Sequence, residues 1–288
     1  MIDFSNAKLN NVRFFDKDGK TYGEIFSKEL NACYEIKDIE YTPKAEAVMT
    51  DLDGTTLDSE TFWVYVIERT MAKIIGNPRF SLEDADEPFV SGYTTVDHLR
   101  YCINKYCPDK IVDDANSTYH LVAEEELDKV MKGEGNTGAF KLTPGLKEFL
   151  LELKRRKIKI GLATSGLKYK AIPEIVSVFR QLNMGDPLDF YDAVITGGDR
   201  KIHGVYGTIG EIAGKPHPFI YAELARIGLN VKNDSHALCV EDSSAGVLSS
   251  RFAGFPVVGM NSGNIAKSGL DGLCHKKVNN FNEVLELL

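Results

Sequence analysis

The sequence predicts an α/β protein: a three-layered, Rossmann-like core around a parallel sheet, with a helical cap domain inserted into it. Three observations carry that expectation. From Ala45 onward, short apolar runs alternate with longer helical patterns, the signature of β-α units around a parallel sheet. Four of the five apolar runs end directly in a stretch rich in chemical function, as expected where open α/β sheets bind ligands at the carboxyl ends of their strands. Residues 59–138 separate the first run from the second, far more than the usual βα loop of about 2 to 6 residues, so they form a domain of their own.

Taken in order, residues 1–44 precede the first core strand. They carry the alternating Val12 and Phe14 and a Lys17-Asp18-Gly19-Lys20 turn signal, which predict a small hairpin or arm. The first core strand is expected at 47–50. Inside the insertion, Phe62, Trp63, Val66, Ile67, Met71 and Ile74 mark one apolar helix face, and Val96, Leu99, Ile103 and Tyr106 a second. Tyr119, Val122, Leu127, Val130 and Met131 mark a third, with Asp113 or Asp114 as its N-cap and Gly133 near its end. Residues 133–138 read as a hinge. Thr143-Pro144 is expected to open a core helix that ends in Lys154, Arg155 and Arg156. Further strands are expected at 158–163, 193–196, 237–240 and 256–259. Residues 198–214 form a long connection whose Gly204 and Gly207 suggest a turn or flap, with His203 on its surface. The domain boundaries follow as 1–44 for the arm, 45–58 with 139–288 for the core, and 59–138 for the cap.

Composition narrows the function. A net charge of -8 disfavours nucleic acid and anionic membranes as partners, since both require basic surface. No apolar run reaches the roughly 18 residues of a membrane helix. The N-terminus has no basic start followed by an apolar stretch, so no signal or transit peptide is indicated and a cytoplasmic location is expected. Five cysteines without a C-x-x-C pair argue against a disulfide framework or a zinc site. The sequence carries no signature of oligomeric state.

The chemistry concentrates at the strand ends. Asp51-Leu52-Asp53-Gly54-Thr55 leaves the first strand with two carboxylates two residues apart, pointing the same way because a strand has a period of two. One can attack while the other moves protons. A carboxylate is a weak nucleophile toward a phosphate dianion unless repulsion is removed, so a metal and a fixed cation are needed. Glu241-Asp242 at a later strand end would complete a magnesium site with Asp51 and the backbone carbonyl of Asp53. Lys215 could supply the point charge, and Thr164 with the Ser165 and Gly166 amides could hold phosphate oxygens. Each piece alone is an ordinary turn, helix start or surface lysine; the four in this order are not.

These residues resemble the haloacid dehalogenase superfamily, and within it the helical-cap subgroup containing β-phosphoglucomutase and phosphoglycolate phosphatases. The resemblance rests on Asp51-Leu-Asp-Gly-Thr-Thr-Leu-Asp-Ser-Glu60, on Thr164, on Lys215 within Gly-Lys-Pro-His-Pro, and on Glu241-Asp-Ser-Ser-Ala-Gly246. It implies Asp51 as nucleophile, Asp53 as general acid and base, Thr164 and Lys215 as phosphate holders, and Asp242 with Glu241 at Mg2+. An aspartate at position 53 favours an oxygen ester, whose leaving alkoxide needs a proton, over dehalogenation. Two positions depart from the mutase-like pattern: Trp63 stands where those relatives carry histidine, and Thr95, after Ser91-Gly92-Tyr93-Thr94, where they carry arginine. The resemblance therefore implies a magnesium-dependent phosphatase acting on a small phosphorylated metabolite. A phosphomutase is the first alternative and a catalytically silent binding protein the second.

Overall fold

The computed structural model describes residues 4, 7–9, 11–27, 30–86, 95–198 and 213–288. The turn and flap expected around Gly204, and His203 with it, lie outside the described residues, as do Ser91 to Thr94. The chain divides into two compact units. The first comprises Met1–Leu57, Leu142–Ala171 and Phe179–Leu288; the second comprises Asp58–Lys141 and Ile172–Val178.

The first unit opens with three antiparallel strands, β1 (Val12–Lys17), β2 (Lys20–Ile25) and β3 (Ala32–Glu35). Asp18 and Gly19 turn the first hairpin with φ of 52° and 76°, the left-handed pair that matches strand twist. The expected hairpin thus has a third strand. This small sheet is seated on the core: Ile25 is fully buried, and Arg251 donates to the carbonyls of Lys37 (2.7 Å) and Ile39 (3.0 Å) just after β3.

The main sheet is parallel, in the order β11-β10-β9-β4-β7-β8. Its strands are β4 (Ala47–Asp51), β7 (Lys159–Ala163), β8 (Ala193–Ile195), β9 (Ala237–Glu241), β10 (Val257–Met260) and β11 (Lys276–Val278), while the two-residue strands β5 (Leu57–Asp58) and β6 (Lys141–Leu142) lie outside it. All five residues of β4 and of β9 are buried, the continuous apolar pattern of strands covered on both faces. The chain moves from β4 outward through β7 to β8 and returns on the opposite side at β9. That reversal beside β4 is where such sheets open a crevice.

In the second unit, α1 (Glu60–Ile75), α2 (Thr95–Tyr106) and α3 (Val112–Met131) stand where the three apolar faces are expected, but Val96 and Met131 at the ends of theirs are exposed. Gly76 at φ 74° closes α1 through its N–H to the Ala72 carbonyl. Helix α3 begins two to three residues earlier than a cap at Asp113 or Asp114 would allow. Its N-cap is Ile111, and the two aspartates lie in the first turn, where the helix dipole favours negative charge. Trp63 Nε1 donates to Glu174 Oε1 at 2.9 Å.

Back in the first unit, α4 (Leu146–Arg155) buries Leu146, Phe149, Leu150 and Leu153 at helical spacing. It starts after Gly145 rather than at Thr143-Pro144, because Gly145 at φ 81° breaks the helical run. The remaining helices are α5 (Lys168–Leu182), α6 (Pro187–Phe190), α7 (Phe219–Glu223), α8 (Ser244–Ala253) and α9 (Phe281–Leu285). Among the described residues, no helix is long and apolar enough to cross a membrane.

Candidate active site

The strand ladder brings the chemical residues level. Asp51 at the end of β4 pairs with Ala163 at the end of β7, and Thr50 pairs with Val240 in β9. Asp51, the Thr164 that follows β7 and Glu241 therefore emerge side by side. A cleft of about 280 Å³ is lined by Asp51, Asp53, Thr164, Ser165, Gly166 and Lys215, with Ser243 and Ala245.

Lys215 reaches this point from a loop. Its Nζ lies 2.5 Å from Asp51 Oδ1 and 2.6 Å from Glu241 Oε1, and it also donates to the Ala163 carbonyl at 3.3 Å. The ammonium sits over the ring of Tyr221 at 5.1 Å, a cation–π contact. The Tyr221 hydroxyl in turn donates to Glu241 Oε1 at 2.6 Å. Ser243 Oγ donates to Glu241 Oε2 at 3.2 Å and accepts the Gly246 amide at 3.0 Å as the N-cap of α8. A Cβ on Gly246 would lie 1.9 Å from the Glu241 carboxyl carbon, so only glycine leaves room for this buried carboxylate.

The turn after β4 is equally constrained. Gly54 has φ 82°, and a Cβ there would meet Asp242 Oδ2 at 2.2 Å, so both backbone shape and space demand glycine. Thr55 Oγ1 donates to Asp242 Oδ1 at 3.2 Å, and Thr56 Oγ1 to the Asp51 carbonyl at 2.5 Å. The Thr56 bond closes the first loop on itself, and the Thr55 bond ties it to the residue that follows β9.

Six of the eight residues singled out in the sequence line this crevice, in different settings, and Glu241 and Asp242 lie beside Asp51. Asp51 and Thr164 are buried and Asp53 is exposed. The Gly166 amide donates to Thr164 Oγ1 at 2.9 Å, and Ser165 Oγ accepts the Lys215 amide at 3.3 Å. This part of the loop is tied internally and to the Lys215 turn. The sequence did not point to Tyr221, Thr55 or Ser243 as members of the site. Ser243 follows the Glu241-Asp242 pair and was legible only as a helix start; Tyr221 carries no local signal.

Asp51, Glu241 and Asp242 each offer a carboxylate oxygen, all within 4.8 Å of one another. Three carboxylates facing one ammonium form an all-oxygen, electron-rich donor set that fits a hard divalent cation. The Asp53 side chain is not part of that group. Burial drives the electrostatics. It pushes the Asp51 carboxyl well above the usual range against the pull of Lys215, with Glu241 and Asp242 adding to the rise. Asp242 is pushed up to about 7, first by burial and then by the Glu241 charge. For Lys215, burial acts to lower the ammonium, but Asp51 and Glu241 outweigh it and hold the pKa above its ordinary value.

Residues 45–254 match the model of a family described as haloacid dehalogenase-like hydrolase. Among solved structures, a "putative beta-phosphoglucomutase" from Thermotoga maritima is 24% identical, with a TM-score of 0.59 over 84% of this chain and 100% of that one. A HAD-superfamily hydrolase of subfamily IA from Geobacter sulfurreducens is 20% identical, with a TM-score of 0.59 over 86% and 98%. CbbY from Rhodobacter sphaeroides, solved with phosphate, is 18% identical, with a TM-score of 0.56 over 83% and 96%. At these identities the structural matches establish a shared fold.

The raised Asp242 carboxyl yields a stability prediction. The folded protein keeps that proton up to about pH 7, whereas the unfolded chain releases it near 4. The destabilisation is therefore absent below about pH 4 and complete above about pH 7. In chelator-treated protein, Asp242→Asn should raise the unfolding free energy by about 2 to 4 kcal/mol at pH 8, at about 1.4 kcal/mol per unit of displaced pKa, with the gain vanishing toward pH 4. Urea unfolding at the two pH values checks this; equal or lower stability of the variant at pH 8 would contradict it.

Proposed function

The chain belongs to the haloacid dehalogenase-like hydrolases, and from that premise we propose that it hydrolyses a small phosphate monoester through an aspartyl-phosphate on Asp51. The observation that carries this reading is the approach of the Lys215 ammonium to Asp51 at 2.5 Å, in a cleft that Asp53 and Thr164 also line. A carboxylate, a fixed cation and a second, exposed carboxylate are the parts needed for nucleophilic displacement at phosphorus.

In this reading a carboxylate oxygen of Asp51 attacks phosphorus while the ester P–O bond breaks, and Asp53 gives its proton to the departing alkoxide. Water then attacks the phosphorus of the aspartyl-phosphate. Asp53 takes the proton from that water, the bond to Asp51 breaks, and inorganic phosphate leaves with the site restored. Lys215 and Thr164 hold the non-bridging phosphate oxygens throughout. Asp51 and Asp242, with Glu241 beside them and the Asp53 carbonyl close in sequence, would hold Mg2+, whose charge offsets repulsion between nucleophile and phosphate. In this reading the helical residues 59–138 are the cap domain.

A phosphorylated sugar is the substrate class that fits best. CbbY, of similar fold, has been solved with phosphate and, as a mutant, with xylulose-(1,5)bisphosphate. A phosphomutase is the second reading, favoured by the description of the Thermotoga maritima protein. Against it, a mutase must hold a second phosphate, and two cations of the helical unit, Arg100 and Lys105, are paired with carboxylates of that unit. Arg100 pairs with Asp97 at 2.5 Å, and Lys105 pairs with the buried Asp86 at 2.5 Å and with Glu83 at 2.8 Å. Trp63 and Thr95 supply no charge. The five cysteines are free thiols, which suits the proposed cytoplasmic setting.

Two outcomes are expected. With β-glucose 1-phosphate, Mg2+ and a trace of the 1,6-bisphosphate, or with any active member of a panel of sugar phosphates, free phosphate should accumulate ahead of isomer; isomer running far ahead would favour the mutase. Asp53→Asn should slow alkyl phosphate turnover by about 10²- to 10⁴-fold, the usual range for a positioned acid–base group. In the phosphorylation step, aryl phosphates with good leaving groups should lose much less. Rapid-quench measurement of that step with both ester types checks the acid role, and equal losses would contradict it.

A further inference from the structure

Lys215 differs from the other proposed catalytic residues in how it is held. Asp51, Thr164, Glu241 and Asp242 sit at or next to strand ends, fixed by the ladder, whereas Lys215 rides on a turn. That turn is closed by the His217 amide donating to the Gly214 carbonyl at 3.0 Å. The orientation of Lys215 therefore depends on what holds His217. Its carbonyl accepts Ser249 Oγ from α8 at 2.6 Å. His217 is only 3% exposed, and its ring is parallel to and offset from that of Phe219, with centroids 5.9 Å apart and planes at 2°. Tyr34 of β3 packs edge-on against both rings: its hydroxyl is 3.0 Å from His217 Nδ1, and its ring meets the imidazole at 5.8 Å and Phe219 at 6.4 Å.

Tyr34 is itself anchored independently of His217. Its ring packs on Phe252 at 5.3 Å. One strand over, Gly23 lies so close to Phe252 that a Cβ would come within 2.5 Å of the ring. Arg251 grips the carbonyls of Lys37 and Ile39 beyond β3. The arm thus has its own attachment to α8 and presents Tyr34 to the turn from a fixed base. It also lies outside the residues matched by the family model, which begin at 45.

We propose that the N-terminal sheet braces the Lys215 turn, with Tyr34 a positioning residue that acts through His217 to keep the Lys215 ammonium on the reacting phosphate. The proposal rests on the reading of Lys215 as a phosphate holder. The energetic scale is that of one hydrogen bond, but the consequence falls on a catalytic cation, where small displacements are amplified.

The test is Tyr34→Phe, which keeps the ring and removes only the hydroxyl, with Thr21→Val as a control that removes an unrelated hydrogen bond of the same sheet, Thr21 Oγ1 to Asp16 at 2.7 Å. Hydrogen exchange in the intact protein is followed on peptides covering 213–221 and 237–241, alongside kcat and KM. The Tyr34 variant should speed exchange in 213–221 by about 3- to 10-fold and lower kcat by a similar factor, the value of one net hydrogen bond. KM, the 237–241 exchange and the Thr21 control should be unchanged. Unaltered exchange in 213–221, acceleration spread over the whole core, or a confined acceleration with kcat intact would each overturn the proposal. If the wild-type protein turns over no phosphate ester, the hydrolysis reading fails, while the exchange data still judge the brace.

Discussion

The Lys215 ammonium lies between two buried carboxylates, those of Asp51 and Glu241. Its side chain is 6% exposed, that of Asp51 10% and that of Glu241 not at all. Burying an isolated charge is costly, and a buried cluster persists only if each member is paired and hydrogen-bonded. Here every member is. Lys215 bonds Asp51, Glu241 and the Ala163 carbonyl; Glu241 also receives Tyr221 and Ser243. Removing the ammonium would leave two buried carboxylates facing each other, so Lys215 is as much a condition of the fold around β4 and β9 as a candidate for chemistry.

Much of the surrounding structure answers to that cluster. The adjacency of β4 and β9 in the sheet makes Asp51 and Glu241 neighbours, and the reversal of strand order beside β4 opens the crevice above them. Gly246 leaves volume for the Glu241 carboxylate, and Gly54 allows Asp242 to approach the first loop. The carboxylates exceed the one ammonium in charge, and a hard divalent cation is what that imbalance suits. The phosphatase reading and the stability of the site thus share one cause.

The fold class was legible in the sequence because strands buried on both faces leave continuous apolar runs. The expected 47–50, 158–163, 193–196, 237–240 and 256–259 all fall within a residue of β4, β7, β8, β9 and β10. Strand β11, Lys-Lys-Val, was not, because a short edge strand led by two lysines has no apolar run to betray it. Helix starts were misplaced where backbone shape, not side-chain capping, sets them: Gly145 delays α4, and Ile111 begins α3 ahead of Asp113. Within the site, residues in the four sequence motifs could be picked out because each lies beside a strand end or in a distinctive string. The Tyr34–His217 contact joins residues 183 apart, and Tyr221 reaches Glu241 of β9 from helix α7. Contacts of that kind exist only once the sheet is assembled, so no local pattern announces them.

The account's central claim is that Asp51 becomes covalently phosphorylated. The most direct measurement is to mix enzyme, magnesium and a turned-over phosphate ester, quench in acid within the first turnover, digest, and map the phosphoryl group by mass spectrometry. The account predicts a phosphoryl group on the peptide containing Asp51, localised to that residue and absent from Asp51→Asn. Phosphate released at full rate with Asp51 unmodified throughout, or a phosphoryl group on another side chain, would contradict it.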